Sequence, residues 1–495
     1  MVALPRLKAR VPWNSSPLLI ILCYNRFAMI HPIHNKPEHD GDELHFAYAD
    51  RSMDLSVPKY DIPETGVDAR VAYRIIHDEL NLDGNPALNL ASFVTTWMEP
   101  EADKLLQETA NKNFVDQDEY PQTEIIHQRV ISMMGRMFNA PTTCHPVGTC
   151  TVGSSEAIML GLLAHKWTWK KRRQSAGQSI DKPNIVFSAD VHTCWEKFAR
   201  YFDVEMRVVP LEEEQFFMTA DQLDGYIDEN TIAVGCVIGT TFTGQMDDVR
   251  GINDYLLKIK ADKGWDIPIH CDGASGGFVA PFVYPDVEWD FRLEQVRSIN
   301  TSNHKFGLVY PGIGSVVFRD KSDLPEELIF DITYLGGSMP NYSLNFSRAS
   351  SMVLLQYYNF LRLGKEGYGR LMTNIMNNAH YLEKRLLDTG FFELLNESKY
   401  LPVVVVRTKD RKLPVKTVYM LSDLLRQQGW IVPAYPLPAK ADGVHVLRMV
   451  VKENFSRDLA EKLADDIQMA INKLDQMATH FEEFAPAYRS ERPIC

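Results

Sequence analysis

No two of the seven cysteines in this 495-residue chain stand in a C-x-x-C pair. Cys23, Cys144, Cys150, Cys194, Cys236, Cys271 and Cys495 are scattered, odd in number and mostly set in apolar surroundings. That argues against a disulfide framework and reads as reduced thiols in a cytosolic protein. Positive charge is also scarce. Lys plus Arg number 52 against 65 Asp plus Glu, a formal net charge of -13, whereas a nucleic-acid binder needs a basic face. Long apolar runs are missing too. "PLLIILCYNRFAMI" (17–30) follows Arg6, Lys8 and Arg10 and has the outline of a targeting segment. It is too short to span a bilayer, Asn25 and Arg26 interrupt it, and no A-x-A site follows. An N-terminal extension ahead of Met29 is the plainer reading, and no membrane association is expected. The phosphate-loop pattern G-x-x-x-x-G-K-[ST] is absent. "GIGSVVF" (312–318) lacks a third glycine and opens a strand, so a nucleotide site is not supported.

What is present is an ordinary globular composition, 45% apolar and 24% charged, able to bury a large core. Residues 1–66 read as a loosely ordered arm, polar over 31–64 with Pro32, Pro37, Pro58 and Pro63. His31, His34, His39 and His45 fall there, without cysteine or a clear carboxylate partner, and read as incidental rather than as a metal site. Residues 67–120 begin helically, with Val71, Ala72, Ile75, Ile76 and Leu80 at helical spacing. Over 121–367 short β-rich runs alternate with longer segments: "NIVFSAD" (184–190), "TIAVGCVIGT" (231–240), "IPIHCDGA" (267–274), "RSINTS" (297–302) and "GSVVFRD" (314–320). This alternation predicts an α/β domain, a mostly parallel sheet flanked by helices. A strand, "GVHVLRMVV" (443–451), and an amphipathic helix over 456–477 suggest a smaller α+β C-terminal domain at 368–477, followed by a tail at 478–495. In that helix Ser456 is the expected cap, and Leu459, Leu463, Ile467, Ile471 and Leu474 form one stripe.

Three features of the alternating domain carry chemistry. "TVGSSEA" (151–157) sets Gly153, Ser154 and Ser155 before an apolar-periodic run, which makes an anion cradle at a helix N-terminus. "HCDGASGGF" (270–278) places Asp272 at the end of a buried strand, where α/β sheets bind ligands. "SNHKFG" (302–307) places Lys305 33 residues further on. Singly, each has a plainer reading: a helix cap, a turn, a solvated lysine. Together they meet the demands of pyridoxal phosphate (PLP): a phosphate cradle, a carboxylate for the pyridine nitrogen and a lysine for the aldehyde.

From about residue 58 to 475 the chain resembles the glutamate decarboxylases, group II PLP decarboxylases, in their plant and fungal form. The resemblance rests on long motifs, among them "NLASFVTTWMEPEADKL", "NKNFVDQDEYP", "GTCTVGSSEA", "CWEKFARYFDVE", "HCDGASGGFVAPF", "SNHKFGLVYPGIGSVVFRD" and "NFSRAS". It implies the fold-type I PLP-dependent transferase fold and decarboxylation of L-glutamate to 4-aminobutyrate in the cytoplasm. It implies that Lys305 forms a Schiff base with the cofactor. Ser154, Ser155 and His304 would hold the phosphate, with Ser347 from a neighbouring subunit, so the chain would be at least a homodimer. Asp272 would pair with the pyridine nitrogen, Thr241 would lie near the cofactor, and His192 and Ala274 would sandwich its ring. His192 stands where plant and bacterial relatives usually carry Gln; both offer a flat face. Ser92, Phe93 and Asp116 would meet the distal carboxylate of glutamate, Arg448 its α-carboxylate, and Tyr334 in "TYLGGSMP" (333–340) would be the catalytic loop tyrosine.

Without the resemblance, Ser92 and Thr241 would read as cap or strand-end hydroxyls, His192 as a core histidine, Arg448 as a structural ion pair and Tyr334 as an interface residue. If Asp116 lies against the substrate's γ-carboxylate, two anions meet and activity should favour acidic pH. Two alternatives are a decarboxylase of another acidic amino acid, aspartate or cysteine sulfinate, and a non-catalytic homologue, which the intact Lys305, Asp272 and serine pair argue against. Plant relatives end in a basic, Trp-containing calmodulin segment; here the end is "MATHFEEFAPAYRSERPIC", with no Trp and few basic residues, so calmodulin is not an expected partner.

Overall fold

The structure, a computed structural model, describes residues 57–478 apart from 213, 333–338 and 397–398. The chain divides after Asp83 into two compact units. In the first, helix α1 (Ala69–Leu80) starts at Asp68, whose carboxylate accepts the Arg70 N–H. Of the stripe read from the sequence Val71 is buried, while Ile76 and Leu80 are 61% and 59% exposed in the single chain.

The second unit opens with α2 (Pro100–Thr109) and α3 (Pro121–Met137). Each carries Pro in its first turn, where the missing N–H has no helical partner to lose. There follow β1 (Val147–Thr151), α4 (Ser154–Ser175), β2 (Asn184–Ser188), α5 (Thr193–Tyr201), β3 (Glu205–Val209) and β4 (Thr231–Val237). Next come α6 (Val249–Lys263), β5 (Ile269–Asp272), the short α7 (Ala280–Val283), β6 (Val296–Thr301) and β7 (Gly314–Phe318). These strands form one sheet in the order β1-β7-β6-β5-β4-β2-β3. The pairs β2–β3, β2–β4, β4–β5 and β5–β6 are parallel; β7 runs antiparallel to both β6 and β1. Strands β2, β4 and β5 are buried along their whole length. That is why β2 and β4, apart from polar residues at their ends, are continuous apolar runs; β5, IHCD, buries His270 and Asp272 as well.

Beyond the sheet, β8 (Phe330–Ile332) and β9 (Met339–Asn341) pair antiparallel on either side of residues 333–338. Helix α8 (Ser351–Asp388) is kinked at Gly364, where φ is 57° and ψ is -174°. It leads to a second sheet of β10 (Phe392–Leu394), β11 (Val403–Thr408), β12 (Ala434–Pro436) and β13 (His445–Val450), in the order β10-β11-β13-β12 with every pair antiparallel. Helices α9 (Lys416–Arg426) and α10 (Arg457–Ala478) complete it. Ser456 caps α10 by accepting the Leu459 N–H at 3.2 Å. Leu463, Ile467, Ile471 and Leu474 are buried.

Candidate active site

Four parallel strands end at one edge of the large sheet, and the turns that follow β2, β4, β5 and β6 meet the start of α4 there. A cavity at that edge is lined by Ser154, Ser155, His192, Thr241, Asp272, Ala274, His304 and Lys305, eight of the residues singled out in the sequence. They come from five separate stretches of chain, and the parallel order of the strands is what gathers them. Ser275 and Ser302 share the lining.

Lys305 Nζ donates to Ser275 Oγ at 3.2 Å and lies 5.0 Å from the centre of the Phe93 ring. Its backbone carbonyl accepts the Thr95 hydroxyl at 2.6 Å, which fixes the turn. Burial lowers the affinity of this amine for its proton; Asp272 and Cys194 oppose the shift and Arg448 adds to it. A neutral amine is the nucleophilic form.

Asp272 is buried and accepts three hydrogen bonds. Oδ2 accepts Trp195 Nε1–H at 3.0 Å, while Oδ1 accepts Asn300 Nδ2–H at 2.9 Å and the Ala274 N–H at 3.0 Å. The Trp195 indole reaches it because residue 235 on β4 is glycine: a Cβ there would sit 2.4 Å from the indole ring.

At the other end Ser154 Oγ and Ser302 Oγ are 2.7 Å apart, and Asn300 Nδ2 donates to Ser154 Oγ at 3.2 Å. Gly314 lets β7 pass this cradle, since a Cβ would lie 2.7 Å from Ser154 N. His304 Nδ1 donates to the Ile313 carbonyl; burial, with help from Lys305, brings its pKa down to about 4. His192 caps α5, its Nδ1 accepting the Cys194 N–H at 3.3 Å. Burial lowers its pKa, against the pull of Asp272.

Arg448 lies 2% exposed on β13. Its terminal nitrogens donate to the Thr241 and Ala91 carbonyls, both at 2.5 Å, and its Nε has no partner among the described residues. Its guanidinium carbon is 5.2 Å from the Phe93 ring centre, so Arg448 and Lys305 share one aromatic neighbour. Ser92 Oγ accepts the Val94 N–H at 3.1 Å and forms its own turn.

Asp116 and Ser347 are not brought to this cavity. They lie together around Asn113, whose Nδ2 donates to Asp116 Oδ1 at 3.1 Å and Ser347 Oγ at 3.3 Å. Tyr334, like His31, His34, His39 and His45, falls outside the described residues. Trp195, Asn300, Ser302, Ser275 and Asp190 were not anticipated. Asp190 lines the cavity 1% exposed, and among the described residues neither carboxyl oxygen has a well-formed hydrogen bond. Burial raises its pKa to about 6; Asp247, behind it, is raised well above the usual range by burial and by the Asp190 charge.

A buried amine, a carboxylate held by three N–H donors and a hydroxyl-lined helix start within one cavity fit PLP in number, charge and chemical type. Comparisons with known proteins agree. The pyridoxal-dependent decarboxylase conserved domain matches residues 63–409. The chain is 50% identical over 436 residues to glutamate decarboxylase 1 of Arabidopsis thaliana, covering 88% of this chain and 86% of that one. It is 44% identical over 441 residues to the glutamate decarboxylase of Aliivibrio fischeri, covering 89% and 95%. The solved glutamate decarboxylase of Lactobacillus brevis aligns with a TM-score of 0.83 at 40% identity, over 86% of this chain and 97% of that one. With its large domain, its cavity and its relatives in agreement, the chain belongs to the pyridoxal-dependent decarboxylase family.

Proposed function

We propose that this chain removes the α-carboxyl group of L-glutamate, with PLP as cofactor, to give 4-aminobutyrate and CO2. The observation that carries the substrate reading is Arg448. A buried guanidinium that donates to two carbonyl oxygens, with Nε unpartnered, has no ion-pair partner among the described residues. Buried cations are normally paired. A substrate carboxylate beside Lys305 supplies the missing partner.

Bound PLP supplies an aldehyde that takes up the substrate amine and a conjugated ring that accepts the electron pair left when CO2 departs. The chain does the rest. Lys305, its proton affinity lowered by burial, would be the amine that holds the aldehyde. Asp272, held by its three donors, would pair with the ring nitrogen. Ser154, Ser155 and His304 would hold the phosphate, and His192 and Ala274 would flank the ring. Arg448 fixes the α-carboxylate, and the angle of the bond to be broken follows from that anchor. A proton must then reach the α-carbon; Lys305 Nζ, within the cavity, can carry it, and Tyr334 is the other candidate.

The distal carboxylate would meet Ser92 and Phe93 of the same chain. If Ser347 serves the cavity of a neighbouring subunit, Asp116 travels with it, because one Asn113 amide holds both side chains. Exposed apolar side chains in the first unit, Tyr60, Ile62, Tyr73, Ile76, Leu80 and Leu82, support a homo-oligomer. The acidic-pH expectation from Asp116 then depends on assembly, and the cytoplasm is the compartment that fits the free thiols.

The test is incubation of the purified chain with PLP and L-glutamate, aspartate or cysteine sulfinate, assayed for the decarboxylated amines. Release of 4-aminobutyrate, lost in Lys305→Ala together with the visible imine band, is the expected result. No amine product from glutamate would overturn the reading.

A further inference from the structure

Behind Asp272, on the side away from the cavity, lies a chain of buried polar groups that the chemistry above does not use. His165 Nε2 is 2.6 Å from Ser298 Oγ, and Ser298 Oγ is 2.6 Å from His270 Nδ1. His270 Nε2 is 2.9 Å from Asn300 Oδ1, and Asn300 Nδ2 donates to Asp272 Oδ1 at 2.9 Å. His165, His270, Ser298 and Asn300 are each 3% exposed or less.

Sheet register builds this line. Strands β5 and β6 are parallel neighbours, with His270 opposite Ser298 and Asp272 opposite Asn300. Residues two apart in a strand face the same side, so the four side chains stand together. Helix α4 covers that side with Ser154, Ile158, Gly161 and His165, spaced to share one helix face. Gly161 makes room for the imidazole: a Cβ there would lie 2.6 Å from His270 Cε1.

The hydrogen positions have one consistent solution. An ionised Asp272 can only accept, so Asn300 must point its NH2 at the carboxylate and its carbonyl oxygen at His270. A carbonyl oxygen can only accept, so His270 Nε2 carries a hydrogen. Burial keeps His270 neutral, its pKa lowered to about 4, so Nδ1 is a bare lone pair and accepts the Ser298 hydroxyl. Ser298 has one hydrogen, already used, so His165 Nε2–H donates to it. Every donor in the line points toward Asp272. Aligned hydrogen bonds polarise one another, and low local dielectric strengthens each.

We infer that His270 is a positioning residue for the carboxylate that faces the cofactor: acting through Asn300, at the centre of this one-way line from His165, it locks the amide so that N–H rather than carbonyl meets Asp272. Without the Nε2–H of His270 the Asn300 carbonyl oxygen loses its donor, and the amide is held only from the NH2 end, by Asp272 and Ser154. The inference rests on Asp272 meeting the pyridine nitrogen of PLP.

The experiment uses full-length protein reconstituted with PLP. His270→Phe keeps a ring of similar outline without hydrogen bonds; Ser298→Ala is the gentler variant; Asp272→Asn is the reference. Expected in His270→Phe is PLP binding weaker by about tenfold, the scale of one hydrogen bond to a charged group, with an altered cofactor absorbance, lower kcat and unchanged KM for glutamate. Ser298→Ala should fall between it and wild type. A merely structural role would lower Tm and leave cofactor affinity, absorbance and kcat alone. The inference is overturned if folded Ser298→Ala and His270→Phe bind PLP as wild type does while Asp272→Asn is impaired. Should His270→Phe not fold, Ser298→Ala and His165→Phe decide the matter by the same measurements. If Asp272→Asn itself binds PLP normally with unaltered absorbance, the reading of Asp272 fails instead.

Discussion

Trp195 on α5 and Asp272 on β5 are joined by a 3.0 Å hydrogen bond, indole Nε1 to Oδ2, across a gap that a glycine at 235 keeps open. The indole ring also meets the His270 imidazole edge-on, at 5.6 Å between centres. One large side chain thus supports the carboxylate from one side and the group behind it from another.

Trp195→Phe should remove a donor while keeping most of the packing, and weaken PLP retention about tenfold. Gly235→Ala should act on the same contact from the strand side: overpacking of this kind costs roughly 1–3 kcal/mol. Urea unfolding and PLP titration of both variants check this. Unchanged retention in Trp195→Phe would show that the other two donors suffice.

Arg448→Met should reduce kcat/KM for glutamate by about 100-fold, roughly 3 kcal/mol of lost carboxylate pairing, and leave PLP affinity near that of wild type. Steady-state kinetics beside a PLP titration separates the two. Equal loss of both would place Arg448 in the structure of the cavity rather than against substrate.

His304 offers a phosphate no hydrogen in its neutral form, because Nδ1–H is spent on the Ile313 carbonyl and Nε2 is then a lone pair. A bound dianion raises a pKa that stands at about 4 without it. Binding therefore takes up a proton at any pH between the free and bound values, and affinity strengthens as pH falls through the bound value. Calorimetry with PLP at pH 6, in two buffers of different ionisation enthalpy, should show close to one proton more taken up by wild type than by His304→Ala, and affinity about tenfold weaker in the variant. Equal uptake by the two proteins refutes the assignment.

Burial pushes the Asp190 pKa up to about 6 in the folded chain, against an ordinary value of 3.8. The raised value favours the folded state in acid, and that contribution is lost as pH climbs through about 6. Asp190→Asn should therefore stabilise the fold more at pH 7.5 than at pH 4.5, by an increment on the order of 1–3 kcal/mol, seen as a larger rise in Tm at the higher pH. Melting curves at the two pH values measure it; a gain independent of pH would contradict the burial argument.

The large domain was legible because strands buried on both faces cannot hide: β2 and β4 carry polar side chains only at their ends, and β5 buries His270 only by pairing it with Ser298 and Asn300. The edge strands were not. β3 is partly exposed, and β1, "VGTCT", has a glycine where a Cβ would meet the Val316 carbonyl oxygen at 2.1 Å. Lys305, Asp272 and the serine pair could be read from their order along the chain. Trp195 and Asn300 could not, since what makes them important is a strand register and a missing methyl group on β4. The company Asp116 keeps was equally hidden, because an amide three residues before it joins it to a serine more than two hundred residues later.

Gly161 carries a warning for anyone who would stabilise this protein. It sits inside the 22-residue helix α4, where glycine is usually replaced by alanine for a gain of roughly 1 kcal/mol. Consensus or automated redesign of exposed and helical positions would favour that substitution. Here the added methyl would strike the His270 ring. Overpacking of that kind costs roughly 1–3 kcal/mol, more than the helix gains, so Gly161→Ala should lower Tm and disturb the line behind Asp272 at once.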